Sequence, residues 1–169
     1  LSMAVSKGHR DTAAAVAALG ELFGTALLPD DRALRPFATR DVEAALAAFD
    51  EAKGKGLGAD KEARGRIMLW RLEDMLRSRY ARFVTSLDEL STAQLPFLKE
   101  RAVKAAYTLL LRKPEQERAL LRLLVNKLGD PERKVASKAG YLLHSQLTEH
   151  PAMQQSVVME VENFCFRPG

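Results

Sequence analysis

An all-α fold built by stacking helical hairpins is what this 169-residue sequence predicts, on three observations. Alanine and leucine dominate, and the seven prolines and ten glycines fall mostly at the ends of helical segments. Apolar residues recur at helical spacing, and no segment alternates as a strand would. Finally, the stretch 123–143 reads as a helix ending at Gly129, a turn at Asp130-Pro131 and a second helix that starts at once. There Gly129 is expected to relieve a left-handed helix end, Asp130 to cap the next helix and Pro131 to take its first position. Asp130, Val135, Ala139 and Leu142/Leu143 follow the spacing of a HEAT-type hairpin. The predicted class is therefore a HEAT/armadillo-like helical-repeat solenoid, a binding scaffold with no inherent active site.

The elements follow in order. Asp11 is expected to cap an alanine-rich helix running to about Leu27, and Asp30-Asp31 to start a short helical turn ending near Phe37. Thr39 is expected to cap a helix to about Ala52, with Glu43 completing a capping box. Gly54-Lys-Gly-Leu-Gly58 reads as a flexible loop. A long helix from about Lys61 to Leu87 carries one apolar stripe, Leu69, Leu72, Leu76, Tyr80, Phe83 and Leu87. Pro96 sits in the first turn of the next helix, Pro114 opens another, and a final helix follows Pro151 and ends near Phe164. Pro114 and Pro151 stand 37 residues apart, inside the range of HEAT and armadillo periods.

Hydrophobic residues make up 47% of the chain, which excludes disorder as the dominant state. The expectation is one helical-repeat domain, 1–169, excised from a longer protein, with less regular helices in 1–60 and more regular hairpins in 61–169. The net charge of +4 is unevenly spread. Residues 1–60 carry 7 basic and 9 acidic side chains, a net of −2, while 61–169 carry 19 and 13, a net of +6. A basic half suits a polyanionic partner, and it also serves plain solubility. The single cysteine, Cys165, excludes an internal disulfide framework and points to an intracellular chain, where a packed apolar thiol is expected. No apolar run approaches the roughly 20 residues of a membrane span, and no signal peptide is visible.

Three clusters could carry function. On the helix after Pro131, the positions Val135, Ala139, Leu143, Gln146 and Leu147 share one face, and Arg133, Lys134, Ser137, Lys138, Tyr141 and His144 share the other. Lysine and arginine neutralise phosphates, serine donates to phosphate oxygens, and tyrosine or histidine stacks on an unpaired base. That makes the second face a candidate RNA surface, against the plain reading of a solvated outer face. On the long helix Arg64, Arg71 and Arg82 lie on one line, widened by Arg66, Arg77 and Arg79. A salt-bridged helix face with Glu73 and Asp74 facing Arg77 explains them more simply than a polyanion does. Trp70 on the same helix reads either as burial against a neighbour or as an anchor for a protein partner.

Catalytic constellations are missing from the sequence. His9, His144 and His150 have no carboxylate or cysteine at metal-ligand or triad spacing, and the Gly54–Gly58 glycines lack the strand and the lysine-serine pair of a phosphate loop. No enzyme, metal or cofactor is expected.

Six runs carry a family resemblance: Lys113-Pro-Glu-Gln-Glu117, Leu124-Val-Asn-Lys-Leu-Gly-Asp-Pro131, Lys134-Val-Ala-Ser-Lys-Ala139, Leu27-Leu-Pro-Asp-Asp-Arg-Ala-Leu34, Leu69-Trp70 with Glu73-Asp74, and Glu160-Val-Glu-Asn-Phe-Cys-Phe-Arg-Pro168. Together they resemble the CCAAT/enhancer-binding protein zeta family, the nucleolar complex associated proteins of large-subunit ribosome assembly, from about residue 20 onward. Two features depart from the family pattern, a short and weakly charged Gly54–Gly58 loop and Cys165 in place of a more usual apolar residue. The resemblance implies a non-enzymatic nucleolar or nuclear scaffold in early large-subunit precursor particles. It implies a heterodimer with a second nucleolar-complex protein, contact with precursor ribosomal RNA, no cofactor and no membrane. The alternatives are a protein–protein adaptor without RNA contact and a CCAAT-box-associated transcription factor.

Overall fold

The computed structural model describes residues 8–52 and 57–167. Every regular element among them is helical, with no strand. The elements are α1 (His9–Leu22), α2 (Val42–Ala52), α3 (Leu57–Ser91), α4 (Pro96–Arg112), α5 (Glu117–Asn126), α6 (Arg133–Glu149) and α7 (Gln154–Cys165). A widened turn, Phe23–Leu27, prolongs α1, and tight helical turns occupy Phe37–Thr39, Lys127–Gly129 and Pro151–Met153. By its contacts the chain groups into two compact units, residues 33–80 and residues 1–32 with 81–169.

The larger unit is built on α4 and α5. Leu98, Ala102, Val103, Ala106, Leu109 and Leu110 form the buried face of α4, which packs on α1, α5 and α6. Helix α5 is contacted by α4, α6 and α7, and so Leu120, Leu121, Leu123, Leu124 and Val125 are all buried. Each such leucine contributes roughly 1.5–3 kcal/mol through apolar area withdrawn from water. In α6 the buried side is Val135, Ala139, Leu142, Leu143 and Gln146, with Leu147 half-buried. The last turns of α3 supply Phe83, Val84 and Leu87, and the Phe83 ring stacks on Phe23 at 5.5 Å.

In the smaller unit Leu34, Ala45, Glu73 and Tyr80 are buried. The Arg40 guanidinium bonds to Glu73 at 2.6 Å and lies over the Trp70 ring at 5.5 Å. The Phe37 N–H donates to Asp74 at 3.2 Å.

Several expected helix ends fall elsewhere. Asp30 and Asp31 start no helical turn; the chain stays irregular until Phe37–Thr39. Thr39 donates its hydroxyl to the Pro36 carbonyl, and Asp41 caps α2 by accepting from the Ala44 N–H at 2.9 Å. The loop expected at Gly54–Gly58 lies outside the described residues through Gly56, and α3 is already helical at Leu57. Pro114 does not open α5. Lys113 is extended, as a residue before proline favours, and Gln116 turns left-handed (φ 59°) before the helix begins at Glu117. Gly129 is not left-handed either. It is small because an added Cβ would stand 2.9 Å from the Phe164 ring. Asp130 does serve the start of α6, accepting from the Glu132 N–H at 3.0 Å, and Pro131 lies ahead of the first helical residue. Cys165 is exposed rather than packed.

The stripe Leu69, Leu72, Leu76, Tyr80, Phe83 and Leu87 is likewise covered only in its second half. Tyr80, Phe83 and Leu87 are fully buried, whereas Leu69 and Leu72 are exposed. Residues 36–40 engage α3 from the side that carries Trp70, Glu73 and Asp74 and leave the leucines uncovered.

Candidate nucleic-acid and partner surfaces

The start of α6 is held by a buried ionic knot. Asp130 accepts from Lys99 through both oxygens (3.0 and 3.1 Å), from Lys127 at 3.3 Å and from the Glu132 N–H. Lys127 also donates to the Ser91 carbonyl at 2.8 Å, tying the end of α3 to the turn. Burial pushes the Asp130 carboxyl up, but the bonds from Lys99, Glu132 and Lys127 outweigh it and hold the group below the usual carboxylate range. This knot sets where α6 begins and hence which side chains reach solvent.

Along α6, Arg133, Lys134, Ser137, Tyr141 and His144 are exposed and Lys138 is half-buried. The cations are not equivalent. Lys134 and Lys138 both bond to Glu100 of α4, at 2.9 and 3.3 Å. Lys134 is the main cause that holds the Glu100 carboxyl low, and the same bond raises the Lys134 ammonium. Arg133 has no ion pair among the described residues.

The structure adds residues of α4 to this surface. Tyr107 donates to Glu149 at 2.9 Å beside α6, and burial together with that carboxylate pushes its phenol up. Next to it on α4 stand the exposed Lys104 and Arg101, the latter 5.4 Å from the Phe97 ring centre. Phe97, Arg101, Lys104 and Tyr107 follow helical spacing, a signal that sequence reasoning could have read but did not pair with α6. Among the described residues, the exposed sides of α4 and α6 thus offer Arg101, Lys104 and Arg133 without carboxylate partners, Lys134 and Lys138 sharing Glu100, and Tyr107 and Tyr141. Chemically these can pair with phosphates and stack on bases.

The α3 candidates are divided between the two units. Arg64 and Arg71 belong to the unit 33–80, and Arg82 to the other. Arg64 lies over Phe49 at 5.6 Å, while Arg71 lies over Phe37 at 6.0 Å and bonds to Asp74 at 3.3 Å. Arg82 is exposed. The pairing expected between Arg77 and the carboxylates Glu73 and Asp74 does not form, since Glu73 goes to Arg40 and Asp74 to Arg71 and Phe37. Trp70 is half-buried beneath Arg40. No cluster of histidine, cysteine and carboxylate side chains among the described residues could hold a metal ion. No helix among the described residues is long and apolar enough to cross a membrane.

No family model matches the chain. Relatives aligning along most of it include Ribosome biogenesis protein NOC1 of Chaetomium thermophilum, 38% identical over 100% of the chain and 17% of that protein. CCAAT/enhancer-binding protein zeta of Homo sapiens is 42% identical over 87% of the chain and 13% of its own length. Nucleolar complex protein 1 of Drosophila melanogaster is 35% identical over 90% of the chain and 12% of its length. The chain therefore spans less than a fifth of each of these relatives.

Proposed function

The chain belongs to the family of CCAAT/enhancer-binding protein zeta and the nucleolar complex proteins, and on that premise we propose that it is a non-enzymatic scaffold in ribosome biogenesis. In this reading it is a helical-repeat segment of a nucleolar protein that holds precursor ribosomal RNA and a second nucleolar-complex protein together in early large-subunit particles. The names of the relatives support the process and the compartment. The observation that supports the RNA contact is the exposure of Arg133, Tyr141 and His144 on α6, with the exposed Lys104 and Arg101 on the neighbouring α4, which Glu100 and Tyr107 tie to α6. A second reading, an adaptor without RNA contact, draws on Glu100, which offsets the charge of Lys134 and Lys138 on the same face of α6.

The test is the salt dependence of single-stranded RNA binding. Each phosphate contact adds about 0.7 to the log–log slope, so K104E/R133E should flatten it by roughly 1.4 and Tyr141→Ala should cost about 1–3 kcal/mol if a base stacks there. An unchanged slope and affinity in both variants would reject the RNA contact in favour of the adaptor.

A further inference from the structure

Within the unit 33–80, α3 leaves one face uncovered. Met68 is 65% exposed, Leu69 53%, Leu72 47% and Met75 42%. With Leu76, these residues fall within an arc of about 120° over roughly two helical turns. The far side of the helix is engaged, where Trp70 and Glu73 meet Arg40 and Asp74 meets Phe37. The uncovered arc is therefore an apolar stripe that the unit makes no use of.

The charges around it are mostly positive, with Glu62 the one exposed acid near its edge among the described residues. At about 100° per residue, Lys61 and Arg79 lie in line with the stripe beyond its two ends, and Arg64 and Arg71 run along one edge. All four are exposed. No carboxylate falls inside the arc, and the helix's nearby acids are paired, Glu62 with Arg66, Glu73 with Arg40 and Asp74 with Arg71, so that Lys61, Arg64 and Arg79 carry the framing charge. Flexible methionines and leucines framed by cations complement an opposing helix with apolar anchors at i, i+3/i+4 and i+7 and carboxylates on its flanks.

From this charge complementarity we propose that the Met68–Leu76 face of α3 docks an acidic amphipathic helix of a partner protein. A second copy of the chain fits poorly, because a two-fold pairing would set the same cations against each other. RNA finds no aromatic or donor group within the stripe to stack on or bond to. The inference rests on the preceding reading only for the existence of a protein partner, and it names the surface and the chemistry of that partner.

The test uses the chain with a fluorescein-labelled amphipathic peptide of about 18 residues that carries leucine anchors and glutamate flanks. A twin peptide has lysine in place of glutamate. Saturable binding of the acidic peptide is expected, with at least about tenfold loss in L72S/M75S and a preference that shifts toward the lysine peptide in K61E/R79E. The variants lie at exposed positions, and an unchanged circular-dichroism melt confirms that they fold. Four results overturn the proposal. They are no saturable binding, equal affinity for both peptides, an intact signal in L72S/M75S, or dimerisation or anionic-vesicle binding that disappears in the same variant. Failure of the peptide arm alone leaves the RNA reading standing, and failure of the RNA slope test alone leaves this inference standing.

Discussion

Replacing Asp130 by asparagine removes one charge from a site where three groups converge. The side chains of Asp130, Lys99 and Lys127 keep only 2%, 12% and 10% of their exposure, so water does little to compensate. Asparagine can still accept from the Glu132 N–H, and Lys127 keeps the Ser91 carbonyl, but Lys99 loses the carboxylate that takes both of its bonds. Breaking a buried pair by removing one partner costs about 3–5 kcal/mol. Because the lysines retain some solvent, a loss near 3 kcal/mol is expected for D130N, which corresponds to a melting-temperature drop of roughly 6–12 °C in a chain of this size. Urea denaturation followed by far-UV circular dichroism measures it.

The pH dependence has a definite sign. The folded Asp130 carboxyl titrates below its unfolded value, so the stability it contributes is fully present above the unfolded pKa of about 3.9 and is lost as pH falls through the lower, folded value. The gap between wild type and D130N should stay constant from neutrality down to about pH 4 and close below it. Removing the stranded charge as well, in K99M/D130N, should recover part of the loss. A D130N variant within about 1 kcal/mol of wild type at pH 7, or a gap that widens on acidification, would refute this account.

Two further substitutions separate packing from conformation. Gly129→Ala should cost about 1 kcal/mol by pressing on the Phe164 ring, and F164L should relieve it; a left-handed glycine would give a penalty that F164L cannot touch, and thermal melts of the two variants decide. Leu143→Asp places an unpaired carboxylate at a position only 5% exposed and should cost several kcal/mol, seen as loss of the cooperative urea transition; a folded variant with wild-type stability would mean the buried side of α6 is wrongly placed.

The buried side of α6 was legible because one amphipathic helix packs along one side, so spacing alone separates Val135, Ala139 and Leu143 from Tyr141 and His144. The same reasoning failed for Leu69 and Leu72. A helical wheel shows that an arc is apolar, but which arc is covered depends on what crosses it, and here Arg40 and Phe37 arrive on the side of Glu73 and Asp74. Lys113 shows the limit more sharply. Its ammonium is buried against the Leu28 carbonyl and Asp30, more than 80 residues away in sequence, and no local pattern announces that. For the candidate surface, sequence reasoning found the exposed side of α6 but not the α4 residues beside it. Glu100, which binds Lys134 and Lys138, and Tyr107, which meets Glu149, act across helices 34 to 42 residues apart.

Helix α5 has a consequence for the lifetime of the fold. Its leucines are enclosed by α4, α6 and α7, so its amides can meet solvent only when most of the larger unit opens. In hydrogen–deuterium exchange this short rod should be the slowest segment, and it should report the global unfolding free energy. The outward residues of α4 and α6 then ride on a clamped backbone, free to vary in chemistry while the clock of unfolding is kept elsewhere.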